Sequence, residues 1–152
     1  MSRSGRSLGF VLALLAFVGL AGCAAPTGPA EPPQDAADTG CRIARVVDGD
    51  TVHLTCPSTG PVKARLLGFD TPEIHAPRCR AEAVAGHEAT AVLRQVLQSG
   101  PITQARFQGQ DRYGRALVRL EVGGQDVARR MIASGLALPY AGGRHPYWCG
   151  IL

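Results

Sequence analysis

Two strand-like, β-branched runs, 42–47 and 51–56, flank the dipeptide Asp48-Gly49 and are bracketed by Cys41 and Cys56. Asp-Gly between such runs is among the strongest short hairpin signals. With a two-residue loop at 48–49, Val47 faces Asp50 and every cross-strand couple adds to 97; so do 41 and 56. Cys41 is therefore expected opposite Cys56 as a hydrogen-bonded pair, with Cα atoms about 5.5 Å apart, inside the range a disulfide accepts. The first folded unit is an antiparallel hairpin stapled at its open end.

What precedes the hairpin has a different character. Arg3 and Arg6 lead an uncharged run over 8–20, which is shorter than the ~20 residues a spanning helix needs. The run ends in Leu20-Ala21-Gly22-Cys23. Small residues before a Cys resemble the bacterial lipobox, so 1–22 reads as a lipoprotein signal peptide and Cys23 as the lipidated first residue of the mature chain. Residues 23–40 hold Pro26, Pro29, Pro32 and Pro33 with Glu31, Asp35 and Asp38. Such a stretch cannot bury enough apolar surface to offset its ordering entropy and reads as an extended tether. The folded domain is then 41–152, in a protein exported and lipid-anchored to the cell envelope, on the periplasmic face of the outer membrane in a diderm host. Of the five cysteines, Cys23 goes to lipid and four remain, enough for two disulfides in an oxidising compartment. A zinc site is disfavoured, because no Cys-x-x-Cys and no His at ligand spacing occur.

Beyond the hairpin, 62–69 reads as a third strand. Residues 80–98 read as a helix, with Ala85, Ala89, Val92 and Val96 on one stripe and Ser99-Gly100-Pro101 as its stop. Segments 102–107 and 116–122 are two further strands around a polar loop, 108–115. Asp126 caps a second helix, 127–134, with Gly135 at its end, and 136–140 is a last extended piece. The class is mainly β with two helices (α+β), and the order fits a five-stranded Greek-key barrel of the oligonucleotide-binding (OB-fold) type. Hydrophobic residues at 45% exclude a fully disordered chain. Aromatics at 5% argue against a wide base-stacking platform. Two of sixteen basic residues and three of twelve acidic ones precede residue 41, which leaves 41–152 at +5 and points to anionic partners.

Four segments can do chemistry. Asp48-Gly49-Asp50-Thr51 sets carboxylates around a turn, Arg65 lies in the third strand, Asp70-Thr71-Pro72-Glu73 ends that strand, and Asp111-Arg112-Tyr113-Gly114-Arg115 is a polar loop. Taken singly, each is an ordinary turn or surface residue. Taken together, Asp50 and Asp70 are hard oxygen ligands suited to Ca²⁺ or Mg²⁺. Two arginines offer planar forks for phosphate oxygens. Glu73 is a carboxylate able to take a proton from water. Metal, two arginines and a base suffice for attack of water on a phosphodiester.

These strings, with Val46-Val47 before the first, Arg65-Leu66-Leu67-Gly68-Phe69 leading into the second carboxylate pair, and Gly135-Leu136-Ala137 further on, resemble in order and spacing the staphylococcal-nuclease-like thermonuclease domain. The resemblance implies an OB-fold barrel and a Ca²⁺-dependent endonuclease that cleaves single-stranded or unstructured DNA and RNA to 3′-phosphate products. It implies that Asp50, Asp70 and the Thr71 carbonyl hold Ca²⁺ and that Glu73 is the general base or water orienter. Arg65 and Arg115 would clamp the transition-state phosphate. Tyr113, Arg112 and Tyr140 would contact substrate, Arg112 standing where the best-known member has Lys. That member's long C-terminal helix has no counterpart in the short, Gly-rich 139–152 segment, where a Cys79–Cys149 disulfide could pin the tail. His53, His75, His87 and His145 read as solvated surface residues, and Tyr147 and Trp148 as caps on a small apolar cluster. A monomer is expected. The alternatives are a non-catalytic nucleic-acid-binding OB-fold lipoprotein, which loss of Arg65, Glu73 or Arg115 would have favoured, and a structural envelope lipoprotein that binds no nucleic acid.

Overall fold

A computed structural model describes residues 39–152; the signal peptide, the Cys23 lipidation site and nearly all of the tether expected above lie outside the described residues. The hairpin is formed by β1 (Arg42–Val46) and β2 (Thr51–Cys56), and β3 (Gly60–Leu66) extends it. After β4 (Gly68–Asp70) the chain enters α1 (Arg80–Gln98), then β5 (Ile102–Gln110), β6 (Ala116–Val122), β7 (Gln125–Asp126), α2 (Val127–Ala133) and β8 (Leu138–Tyr140). A 3-10 turn, Trp148–Gly150, lies in the tail. The class is mainly β with two helices, as expected. The main sheet runs β1-β2-β3-β6-β5 with β7 added beside β6, while β4 and β8 form a separate pair.

The barrel is OB-like without a closing ladder. β1 and β5 are the two ends of the sheet path. They are joined near their starts by Thr39, whose backbone N–H and hydroxyl both donate to the Ile102 carbonyl, at 3.0 and 2.8 Å. Among the described residues, pairing is thus already present two residues before Cys41. The hydrophobic core lies between the sheet and the helices. β6 alternates strictly, with Ala116, Val118, Leu120 and Val122 buried, against Val52, Leu54, Ala64 and Leu66 of β2 and β3. Ala89, Leu93, Val96 and Leu97 of α1 and Val127, Ala128 and Met131 of α2 close it. Period 2 in the strand and period 3.6 in the helix aim these side chains at one volume.

Two expectations are corrected in detail. Near the turn, Val46 faces Val52 and Arg45 faces His53, one residue off the expected register; a bulge between Ile43 and Arg45 then restores Arg42 opposite Thr55. The loop is therefore wider than two residues. Val47 N–H donates to Thr51 O, and the Asp48 carboxylate accepts from Asp50 N–H in an Asx turn. Gly49 has no positive φ. It is small because a Cβ there would lie 2.5 Å from the Thr71 hydroxyl oxygen. Cys41 and Cys56 do bond, but with Cα atoms 4.1 Å apart, closer to a non-hydrogen-bonded pair than to the spacing expected.

The second correction is at 62–69, which is not one strand. β3 ends at Leu66, and β4 leaves the sheet to pair with β8, Gly68 opposite Tyr140 and Asp70 opposite Leu138. Gly68 has φ +98°, a conformation other residues reach only with strain. This break turns the chain, so that Asp70 comes back to Arg65, five residues earlier.

Candidate active site

The two expected metal carboxylates meet on one arginine. Arg65 projects from β3 with its side chain 7% exposed. Its Nη1 pairs with Asp50 Oδ2 from the β1–β2 turn. Its Nη2 pairs with Asp70 Oδ1 at 2.9 Å and donates to Phe69 O at 3.3 Å. Thr51 and Thr71 hydroxyls add hydrogen bonds to Asp50 at 3.0 and 3.4 Å. Burial pushes the Asp50 carboxyl from 3.8 up to about 7; Arg65 opposes the rise, while Asp48 and Asp70 add to it. A buried carboxylate beside two others, with one guanidinium between, is a surplus of negative charge. Hard oxygen donors in that state fit a divalent cation of the Ca²⁺ or Mg²⁺ kind.

The second arginine comes from the other side. Asp111 organises the β5–β6 loop: its Oδ1 accepts from the Tyr113 and Arg115 N–H groups at 2.9 Å, and its Oδ2 accepts from Arg115 Nε at 2.7 Å. Burial alone would raise the Asp111 carboxyl, but the bonds from Arg115 and Tyr113 outweigh it and hold it below 3.8. Arg115 Nη1 then reaches the Thr51 hydroxyl at 3.4 Å, beside Asp50. Asp48, Asp50, Arg65, Asp70, Glu73 and Arg115 line one cleft of about 600 Å³, with Tyr113 on its rim. Glu73 is exposed, and its Oε1 accepts from the Ile74 and His75 N–H groups at 2.8 Å.

Two expected substrate contacts fall outside the lining. Arg112 is exposed and lies over the Tyr113 ring, 4.9 Å from its centroid. Tyr140 is covered by His145, the rings stacked at 4.9 Å and 21°, and its hydroxyl donates to Gly143 O. The Tyr140 ring centroid lies 5.9 Å from the guanidinium carbon of Arg65.

The tail departs most from expectation. The Cys79–Cys149 disulfide spans 70 residues and draws the tail onto the cleft. His145 is a surface residue as expected, its side chain 60% exposed, but it is not a bystander: its Nδ1 lies 2.7 Å from Asp70 Oδ1. Trp148 is buried and donates from Nε1 to Asp70 Oδ2 at 3.1 Å. Tyr147 is 59% exposed, with the Arg78 guanidinium over its ring. One signal could have found these residues. Cys79 follows the Asp70–Glu73 segment closely, so a bond to Cys149 implies that Trp148 lies near that segment.

Comparison with known proteins adds a family and several relatives. The profile described as Staphylococcal nuclease homologue matches residues 63–146. That span contains Arg65, Asp70, Glu73 and Arg115, and stops short of Asp50 on one side and Trp148 on the other. The chain is 33% identical over 105 residues to Endonuclease YhcR of Bacillus subtilis, covering 64% of this chain and 9% of that protein. It is 31% identical over 102 residues to an uncharacterized endonuclease of Haemophilus influenzae, covering 66% and 52%. It is 30% identical over 141 residues to Succinoglycan biosynthesis protein ExoI of Rhizobium meliloti, covering 90% and 64%. The match therefore spans less than two thirds of each relative's length.

Proposed function

The chain belongs to the staphylococcal nuclease homologue family, and from that membership we propose that it is a Ca²⁺-dependent endonuclease that hydrolyses DNA and RNA to 3′-phosphate products. The observation that carries the reading is the cleft itself: carboxylates of the 48–51 and 70–73 segments and the guanidinium groups of Arg65 and Arg115 converge on one open volume. Two of the relatives are named as endonucleases.

The residues divide the work as follows. Asp50, Asp70 and the Thr71 carbonyl would hold the cation, which when bound supplies Lewis-acid polarisation of a phosphate oxygen. Arg115 reaches in from the loop and offers its guanidinium fork to the opposite side of the phosphate. Arg65 holds the two carboxylates in register and carries positive charge at the same place, where negative charge grows during in-line attack. Glu73, solvent-facing at the rim, takes the proton of the attacking water. Tyr113 lies between bulk solvent and Arg115, 5.7 Å from its guanidinium carbon, and would receive a neighbouring phosphate or base.

Hydrolysis of single-stranded DNA by the purified chain in Ca²⁺, Mg²⁺ or EDTA tests this. The expected outcome is cleavage in Ca²⁺, none in EDTA, and 3′-phosphate ends. Retained oligonucleotide with no cleavage in any divalent cation would leave a binding-only barrel.

The proposal extends to location. The Leu20-Ala21-Gly22-Cys23 string supports export and lipid anchoring at Cys23, and two disulfides suit an oxidising compartment. Mass spectrometry of the mature N-terminus checks it: a diacylated Cys23 is expected, and an unmodified start elsewhere would overturn the anchor.

A further inference from the structure

Both oxygens of Asp70 are held, and by different parts of the chain. Oδ1 faces Arg65 and His145, and Oδ2 accepts from the indole of Trp148. His145 and Trp148 come from a tail that returns 75 and 78 residues later. The tail has little regular structure of its own to keep it there, only a three-residue 3-10 turn. Its fastening is Cys149, which immediately follows Trp148 and bonds to Cys79.

Cys79 is in turn fixed to the body of the domain. It is the N-cap of α1, its sulfur accepting from Glu82 N–H at 3.5 Å. Glu82 is 4% exposed and accepts from the Arg78 N–H at 2.6 Å. The Cys79 sulfur takes the place of the usual capping hydroxyl, while Glu82 reaches back past it to the N–H of the preceding residue. The tail is thus tied to the start of a 19-residue helix packed in the core.

We infer that the 145–149 tail is a disulfide-fastened strap that positions Asp70 for the cation, with Trp148 as the positioning residue and Cys79–Cys149 as its clasp. The inference rests on the metal site of the proposed function and deepens it: metal affinity becomes dependent on the oxidation of one cysteine pair. Hydrogen bonds to a ligating carboxylate fix its orientation and tune its affinity, and loss of such a partner typically costs 10–100-fold in metal binding. Reduction of the clasp leaves Asp50, Arg65, Glu73 and Arg115 in place and removes two partners from Asp70.

Trp148 is the only tryptophan of the chain, so its emission reports the strap directly. The experiment compares the full-length wild type with Trp148→Phe, with the double variant Cys79→Ser/Cys149→Ser, and with Asp70→Asn. Trp148→Phe keeps the ring bulk and loses the N–H. Serine at 79 keeps a helix-capping oxygen, and Cys41–Cys56 remains oxidised throughout. Calorimetry gives the Ca²⁺ dissociation constant, and DNA cleavage at saturating Ca²⁺ gives kcat. We expect Trp148→Phe and the double-serine variant each to weaken Ca²⁺ binding about 10–100-fold while kcat at saturation stays within about three-fold. Trp148 emission should shift to the red in the double-serine variant and change in Asp70→Asn, without metal.

If wild type binds Ca²⁺ and cleaves DNA but both variants keep the wild-type dissociation constant, the strap inference fails and the nuclease reading stands. A fall in kcat at unchanged affinity would equally overturn it, since that marks a structural rather than a positioning role. If wild type neither binds the metal nor cleaves, the nuclease reading fails, and emission alone decides the strap: unchanged emission in Asp70→Asn and in the double-serine variant overturns it.

Discussion

Arg65 and Arg115 carry the same guanidinium into the same cleft from opposite walls, and they are held in opposite ways. Arg65, 7% exposed, is clamped by two carboxylates and two backbone carbonyls. Arg115, 26% exposed, is held by one carboxylate on its Nε side and touches Thr51 with Nη1. Its Nη2 has no hydrogen-bond partner among the described residues. The difference is one of role as much as burial. Arg65 is the counter-charge that allows two carboxylates to be buried at all, whereas Arg115 keeps donor capacity for something that arrives.

The largest expected effect follows from that contrast. Arg65→Ala removes one partner of a buried ionic cluster and leaves Asp50 and Asp70 facing each other. Breaking a buried pair costs about 3–5 kcal/mol. For a domain near this size that is a fall in Tm of more than about 12 °C, together with loss of cleavage. Scanning calorimetry beside a nuclease assay reads both. If Arg65→Ala keeps the wild-type Tm, Arg65 is not the structural counter-ion described here and the contrast with Arg115 collapses.

Arg115→Ala should separate the two effects. Its ion pair is half open to water, and such pairs contribute about 0–1 kcal/mol to stability. Removing a preorganised charge from a developing phosphorane costs on the order of 10²–10³ in rate. Tm should therefore move by only a few degrees while kcat falls steeply. Lysine should rescue poorly, because an ammonium cannot make the bidentate fork. Full activity in Arg115→Lys would sharpen the comparison the other way, by showing that charge alone is used.

How much of this was legible depends on how local each feature is. Helix α1 is read correctly at both ends because its apolar stripe and its Ser99-Gly100-Pro101 stop are local. The residue types of the cleft are legible because Asp, Glu and Arg cluster in short strings. The bulge beside Ala44 leaves no mark in the residue pattern, since a skipped pairing changes no residue type. The break at Gly68 hides inside an otherwise continuous apolar run. It shows only through a positive φ that any glycine permits but none announces. His145 and Trp148 are the deepest miss. Their partner Asp70 is 75 and 78 residues away, and only the Cys79–Cys149 bond links the two regions in sequence terms. The salt bridge of Arg65 to Asp70 is likewise a product of the β4 turn, and that to Asp50 of the β2–β3 register that sets Arg65 opposite Thr51, rather than of any motif.

A pH experiment sharpens the comparison from the carboxylate side. Asp50 ionises near 3.8 in the unfolded chain and at about 7 in the fold. Between these values the folded state binds more protons than the unfolded one, so stability falls as pH rises through that window. The slope is at most about 1.4 kcal/mol per pH unit. Asp111 has the opposite sign: its folded value lies below 3.8, so its contribution is present above that value and lost on acidification below it. Asp50→Asn should abolish the falling limb between pH 4 and 7 in metal-free buffer, read as the difference between two Tm–pH curves. Asp111→Asn should leave that limb intact. Identical curves for wild type and Asp50→Asn would show that the carboxylate is already ionised in the fold, and that Arg65 compensates burial fully.

The smallest effect concerns Arg112, the cation next to the loop arginine. It is exposed, lies over the Tyr113 ring at 4.9 Å, and does not line the cleft. A cation–π contact at an exposed site contributes about 0.5–1 kcal/mol, and Tyr113 itself is 70% exposed. Arg112→Ala should therefore relax only the orientation of Tyr113. On that account KM for an oligonucleotide rises about two- to five-fold with kcat unchanged, and the rise shrinks as salt is added. Steady-state kinetics at two ionic strengths reads this directly. A fall in kcat matching that of Arg115→Ala would place Arg112 on the reacting phosphate. The loop would then deliver two working guanidinium groups where its geometry now offers one, and the division between a buried arginine that holds the site and an open one that meets the substrate would have to be redrawn.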